Sequence, residues 1–111
     1  MRTHQLILNT CPDSQTAETI ATLLVDRELA ACVNILPGVR SVYRWQGQRQ
    51  IDNEQLLLIK ACASAYGDIE AVISEHHPYD LPEIIAINID RGLPDYLAWI
   101  QQQSHRKGLG G

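Results

Sequence analysis

Two groups of residues in this sequence have the types and spacing that chemistry requires. His76 and His77 stand side by side just ahead of Pro78, and imidazole is a ligand for copper, zinc and nickel. On a regular helix adjacent side chains diverge by about 100°. The pair can therefore share one ion only where the helix breaks, and Pro78 forces such a break at His77. Two imidazoles still make a weak site unless water, Asp80 or a thiol completes it. The competing structural reading has His77 closing a helix and hydrogen-bonding near Tyr79, with His76 exposed, and for tight binding it is the preferred one. The second group is Tyr43, Trp45, Glu54 and Lys60, spread along two strand-like stretches. Together with His77, Glu54 and Lys60 are also the only acid–base combination that suggests itself. No GxSxG, Walker loop, HExxH or Cys-His-Asp spacing occurs, so the expectation is a protein that is not an enzyme.

The element that must position the second group is Ala31–Ala63, read as two long strands folded back at Gln46-Gly47-Gln48-Arg49. A turn centred on Gly47-Gln48 places Trp45 opposite Gln50, Tyr43 opposite Asp52 and Ser41 opposite Glu54. Alternation then gathers Tyr43, Trp45, Glu54, Leu56, Leu58, Lys60 and Cys62 on one side of the ribbon. Glu54 and Lys60 lie roughly 20 Å apart along an extended strand and cannot pair within one straight arm. Across a rotation axis, Lys60 of one copy could meet Glu54 or Tyr43 of the next. Pro37-Gly38 calls for a bend or bulge in the first arm. The second arm would run to about 45 Å, longer than the diameter implied by a radius of gyration of about 13 Å.

The remaining elements follow from periodicity and punctuation. Gln5–Cys11 reads as a strand, and Asp13 or Ser14 caps a helix whose apolar face is Ala17, Ile20, Ala21 and Leu24, ending near Ala30. Ser64 is placed to cap a second helix with Tyr66, Ile69, Val72 and Ile73 on its inner face. Leu81–Ile89 is a fourth strand, and Pro94 opens a last helix carrying Tyr96, Trp99 and Ile100 on one side. Ser104–Gly111 reads as a polar tail beyond an ordered core of 5–103. The order β-α-β-β-α-β plus a terminal helix predicts an α+β, ferredoxin-like split β-α-β domain spanning 1–111, with helices on one face of an antiparallel sheet. Leu56–Ile59 and Ile84–Ile87 are apolar on both faces, which calls for a second cover. Another subunit is the economical one.

Composition narrows the function classes. The 111 residues carry a net charge of −4, with 45% hydrophobic and 20% charged residues. A negative balance with few, scattered basic residues argues against nucleic acid as a partner. Three cysteines, Cys11, Cys32 and Cys62, without CxxC spacing, fit neither a disulfide framework nor a zinc ribbon. No apolar run approaches the ~20 residues of a membrane span, and Met1-Arg-Thr-His-Gln leads directly into a strand-like stretch. The expectation is a cytoplasmic protein with no membrane partner.

The pattern LAACVNILPGVRSVYRWQG (29–47), Glu54, Lys60, HHPYDLPE (76–83) and DYLAWI (95–100) resembles the CutA divalent-cation tolerance family from about Leu6 to Gln101. The resemblance implies a ferredoxin-like fold, a homotrimer sealed by the long hairpins, and a response to divalent metal ions, copper (Cu²⁺) in particular. It also implies clefts between subunits near Trp45, Glu54, Lys60 and the HPY turn that holds Tyr79. Some members use a cysteine at the end of the first strand beside the two histidines. Asn9 occupies that position here, and Cys11, two residues on with the same side-chain parity, is the candidate replacement. Members are often labelled periplasmic. The functions implied are a trimeric metal-binding, metal-tolerance protein or, alternatively, a small-ligand or signalling trimer using its clefts, or a stable scaffold for partner proteins.

Overall fold

A computed structural model describes residues 3–106. The first strand, β1 (His4–Cys11), leads into helix α1 (Ser14–Asp26). Asp13 caps this helix by accepting the Thr16 N–H at 2.8 Å, and Ala17, Ile20, Ala21 and Leu24 form its buried stripe, the face expected from their spacing. The helix stops at Asp26 rather than near Ala30. Glu28 adopts a φ of 57°, and the Leu29 and Ala30 N–H groups both turn back to the Leu24 carbonyl, a left-handed helix end.

Strands β2 (Cys32–Trp45) and β3 (Gln48–Cys62) form the long hairpin. A short 3-10 turn, Ala63–Ala65, separates β3 from α2 (Tyr66–His76). The expected Ser64 cap is therefore not made: Ser64 lies inside that turn, and the residue preceding α2 is Ala65, with no side-chain cap. His77 leaves helical geometry at φ −88°, ψ 138°, as a residue before proline must. Strand β4 spans Ile84–Asn88, shorter than the expected Leu81–Ile89, and α3 (Pro94–Gln103) begins with proline in its first turn. The sheet is antiparallel throughout in the order β2-β3-β1-β4, which is the ferredoxin-like arrangement.

The hairpin register differs from the expectation by two residues. Trp45 pairs with Gln48, Tyr43 with Gln50 and Ser41 with Asp52. The turn is the two-residue step Gln46-Gly47, with φ of 52° and 77°, a geometry whose twist matches that of the flanking strands. A shift of two preserves parity, so the side-chain faces stand as assigned. The bulge lies where Pro37-Gly38 placed it, between Leu36 and Val39. Pairing of β1 with β3 ends at Cys11–Gln55. Beyond it, the hairpin tip from Val39 to Glu54 pairs with itself. The long axis of 43 Å and radius of gyration of 14.4 Å exceed what a compact chain of this length needs.

One sheet face, with Ile7, Leu57, Ile59 and Ala61, packs against α1 and α2 to make the core. Contrary to the one-face expectation, α3 lies across an end of the opposite face. The His4 ring meets the Leu97 carbonyl at 3.0 Å, and Tyr96 lies near enough to Cys32 for the thiol to raise its phenol, after burial; His4 and Cys32 sit on that second face by register. Among the described residues no helix covers the rest of the face: Leu36, Ile85 and Ile87 are half-exposed. Ser104, assigned from sequence to the tail, is instead buried at 2% exposure. Its hydroxyl donates to the Leu29 carbonyl at 2.6 Å and accepts the Cys62 N–H at 2.8 Å. The His105 N–H binds the Glu28 carbonyl at 2.7 Å. The rest of the expected tail, 107–111, lies outside the described residues.

Candidate functional site: a buried carboxylate under an aromatic rim

The bulge decides which side chains reach the site. Below it Leu36 pairs with Leu56, so even-numbered residues of β2 share a face with even-numbered residues of β3. Above it Val39 pairs with Glu54 and Tyr43 with Gln50, so the odd-numbered residues of β2 take that face. One extra residue thus turns Ser41, Tyr43 and Trp45 onto the face that carries Glu54.

Glu54 is only 6% exposed. Tyr79, from the loop after α2, donates its hydroxyl to Glu54 Oε2 at 2.9 Å. Burial, and then this bond to a carboxylate, push the Tyr79 phenol well above its ordinary range, so it stays a donor. Nearby, the Tyr43 hydroxyl donates to Asp52, which raises the Tyr43 phenol as well. Tyr43, Trp45 and Tyr79, at 37–44% exposure, border a cavity of about 650 Å³ that Arg44 also lines and in whose wall Thr10 and Glu54 are buried. That volume is within the range of small-molecule sites.

Two interior side chains set the loop that delivers Tyr79. His77, 8% exposed, bonds the Thr10 carbonyl through Nε2 at 2.7 Å and accepts the Tyr79 N–H on Nδ1 at 3.2 Å. A carbonyl can only accept, so Nε2 carries the proton and the tautomer is assigned by the network. The His77 and Tyr79 rings lie 4.7 Å apart. Asn9, fully buried, donates to the Glu83 carbonyl at 2.8 Å and so ties the far end of the same loop to β1.

The three metal-ligand candidates are not brought together. Both nitrogens of His77 are engaged. Cys11 is fully buried, and its thiol donates to Asn9 Oδ1 at 3.3 Å. Burial, followed by the charges of Asp13 and Glu54, pushes that thiol up to about 12, whereas a metal needs the thiolate. His76 is partly exposed and bonds the Val72 carbonyl through Nδ1 at 2.9 Å, leaving only Nε2 open. Among the described residues no three His, Cys, Asp or Glu side chains group as metal ligands. The described residues of one chain therefore do not fit a resident copper ion.

Lys60 sits apart from the cleft candidates Tyr43, Trp45, Glu54 and Tyr79. It lies at the far end of β3 and donates to Asn34. The Glu54, Lys60 and His77 combination is thus not assembled within one chain. Thr10 and Glu83 were missed as lining residues. Glu83 falls inside the HHPYDLPE stretch that carries the family resemblance, which was the available signal; Thr10 gave none.

A family model described as CutA1 divalent ion tolerance protein matches residues 5–103. The divalent-cation tolerance protein CutA of Thermus thermophilus is 43% identical over 100 residues, covering 90% of this chain and 97% of that protein. Mouse protein CutA is 39% identical over 93 residues, covering 84% of this chain but only 52% of its own length. In structure, the Thermus thermophilus protein matches with a TM-score of 0.90 at 42% identity, over 92% of this chain and 99% of the other. A CutA from Archaeoglobus fulgidus, named as a periplasmic divalent cation tolerance protein, matches with a TM-score of 0.89 at 34% identity, over 92% and 99%. Agreement of sequence and fold along nearly every described element leads to one conclusion: the chain belongs to the CutA1 divalent ion tolerance family.

Proposed function

We propose that the chain serves divalent-cation tolerance as a homotrimer whose working site is the cleft on the hairpin, bounded by Tyr43, Trp45, Glu54 and Tyr79. The observation that carries this reading is the sheet face bearing Glu54, which continues into half-exposed Leu36, Ile85 and Ile87 with no covering element among the described residues. Apolar strands of this kind need a second layer, and a neighbouring copy supplies one. A rotation axis also brings Lys60 of one subunit toward Glu54 or Tyr43 of the next, the pairing that strand geometry forbids within a chain. The compartment we assign is the cytoplasm. Among the described residues no helix is long and apolar enough to cross a membrane.

Copper, the ion the family resemblance points to, is met here by His76 at the surface, with His77 and Cys11 held in the interior. The response to metal is then weak and readily reversible. Titration calorimetry with Cu²⁺ and Zn²⁺ on wild type, His76→Ala and Cys11→Ser tests this. Weak binding lost in His76→Ala and kept in Cys11→Ser is expected, and tight binding that depends on Cys11 would overturn it. A second reading, a small-ligand trimer using the cleft, is favoured by the cavity of about 650 Å³ beside a buried carboxylate.

A further inference from the structure

Glu54 presents an imbalance. A carboxylate has about four acceptor positions, and among the described residues its one hydrogen-bond donor is the Tyr79 hydroxyl, on Oε2. Withdrawing a carboxylate from water is costly unless a charge or further donors offset it. Glu54 nevertheless lies 94% buried in the wall of a cavity large enough for an organic molecule. The polar lining is lopsided: Glu54, Asp80 and Glu83 against the single cation Arg44. The rim is Tyr43, Trp45 and Tyr79, whose ring faces attract cations. An anion is disfavoured by this lining. Among the described residues a divalent metal finds no grouped donor set, and it would want six or more oxygens or a tetrahedral N/S cage.

We infer that the Glu54 cavity is a receptor for a protonated amine, with the ammonium on Glu54 and the carbon body against the aromatic rim. This rests on the cleft reading given above and assigns its ligand class. Tyr79 orients Glu54 by holding one carboxylate oxygen and leaves the other for the ammonium. The same chemistry has two possible sources, a free organic amine or the Lys60 ammonium of a neighbouring copy.

The test is calorimetric titration at neutral pH with phenethylammonium and with 2-phenylethanol, its neutral counterpart, on wild type, Glu54→Gln and Lys60→Met. Near-ultraviolet circular dichroism confirms that each variant folds. The expected result is binding of the ammonium at least tenfold tighter than the alcohol, and loss of that preference in Glu54→Gln, which keeps an acceptor for Tyr79. Affinity that rises at least tenfold in Lys60→Met assigns the wild-type occupant to the neighbouring lysine; affinity unchanged in Lys60→Met assigns it to a free amine. Equal binding of alcohol and ammonium, or a Glu54→Gln variant that keeps the preference, overturns the inference. Sedimentation of the same samples separates the two levels. A trimer without amine preference sinks this inference alone, and a monomer with it sinks the assembly reading alone.

Discussion

Replacing His77 by alanine separates a structural histidine from a metal ligand. The ring joins the Thr10 carbonyl at the end of β1 to the Tyr79 N–H, at 2.7 and 3.2 Å. Thr10 is 7% exposed, so its carbonyl would lose a partner that water replaces poorly, a cost of about 1–3 kcal/mol. Tyr79 is more exposed, and its N–H can turn to water at little cost. The vacated ring volume and the lost contact with Tyr79 add about 1 kcal/mol. The sum is about 2–4 kcal/mol, a large fraction of the ~5–15 kcal/mol that holds an ordinary domain. In urea, with a slope of about 1–3 kcal/mol/M, the midpoint should fall by roughly 1–2 M with the slope unchanged. The unfolding is followed in EDTA at equal protomer concentration, because assembly makes stability concentration-dependent. His77→Gln, whose amide can still donate toward Thr10, should recover about half of the loss. A cost under ~0.5 kcal/mol in EDTA, with Cu²⁺ binding abolished, would refute the reasoning and make His77 a ligand.

Other outcomes follow from the same structure. Ser104→Ala strands the Cys62 N–H and the Leu29 carbonyl, both at buried residues, and should cost about 2–4 kcal/mol in urea unfolding; the exposed neighbour Gln103→Ala should cost almost nothing. Glu28→Gly relieves a left-handed backbone at φ 57° and should raise stability by about 0.5–1 kcal/mol, read as a higher urea midpoint. In the native protein at pH 8 a disulfide reagent should modify Cys32 while Cys11 and Cys62 stay unreactive, because burial raises both of those thiols; full reaction comes only on denaturation. The raised Cys11 thiol also makes alkali destabilising. Its proton is kept in the fold after the unfolded chain loses it near pH 9, so this contribution is complete below about pH 9 and falls away as the pH rises toward about 12. The Cys11→Ser variant should show a shallower loss of stability over that window in pH-dependent urea titrations.

Much of the fold was legible because local and global signals agree. The α1 stripe, the break at Pro78, the bulge at Pro37-Gly38 and the strand order each rest on a residue type that permits few alternatives. The hairpin register was not legible at its turn. Gln46 carries the left-handed conformation that sequence reading reserves for Asn or Gly, so the turn was placed one step too late. The faces survived only because the error was even. Ser64 looked like a cap, but the chain spends it in a 3-10 turn before α2 starts. The position of α3 was set by its contacts with His4 and Cys32, which no periodicity encodes. The site was half legible. Tyr43, Trp45 and Glu54 share a face by alternation alone. The partner that buries Glu54 comes from a loop 25 residues away, and a lone glutamate in a strand reads as a solvated charge until that loop is in place. His76, His77 and Cys11 show the converse: the adjacent histidines and the family resemblance suggested a ligand set, while hydrogen bonds to Thr10, Tyr79 and Asn9 commit His77 and Cys11 to the fold and a bond to Val72 takes one nitrogen of His76.

The claim on which the Lys60 pairing and the trimeric function depend is assembly through the uncovered sheet face. Sedimentation equilibrium of the wild-type protein and of Ile87→Glu, which places a charge in the middle of that face, measures it directly. The account predicts a wild-type mass three times the 12.4 kDa of one chain, and a folded Ile87→Glu protein shifted toward the mass of a single chain. A wild-type protein that sediments as one chain across the micromolar range would contradict it.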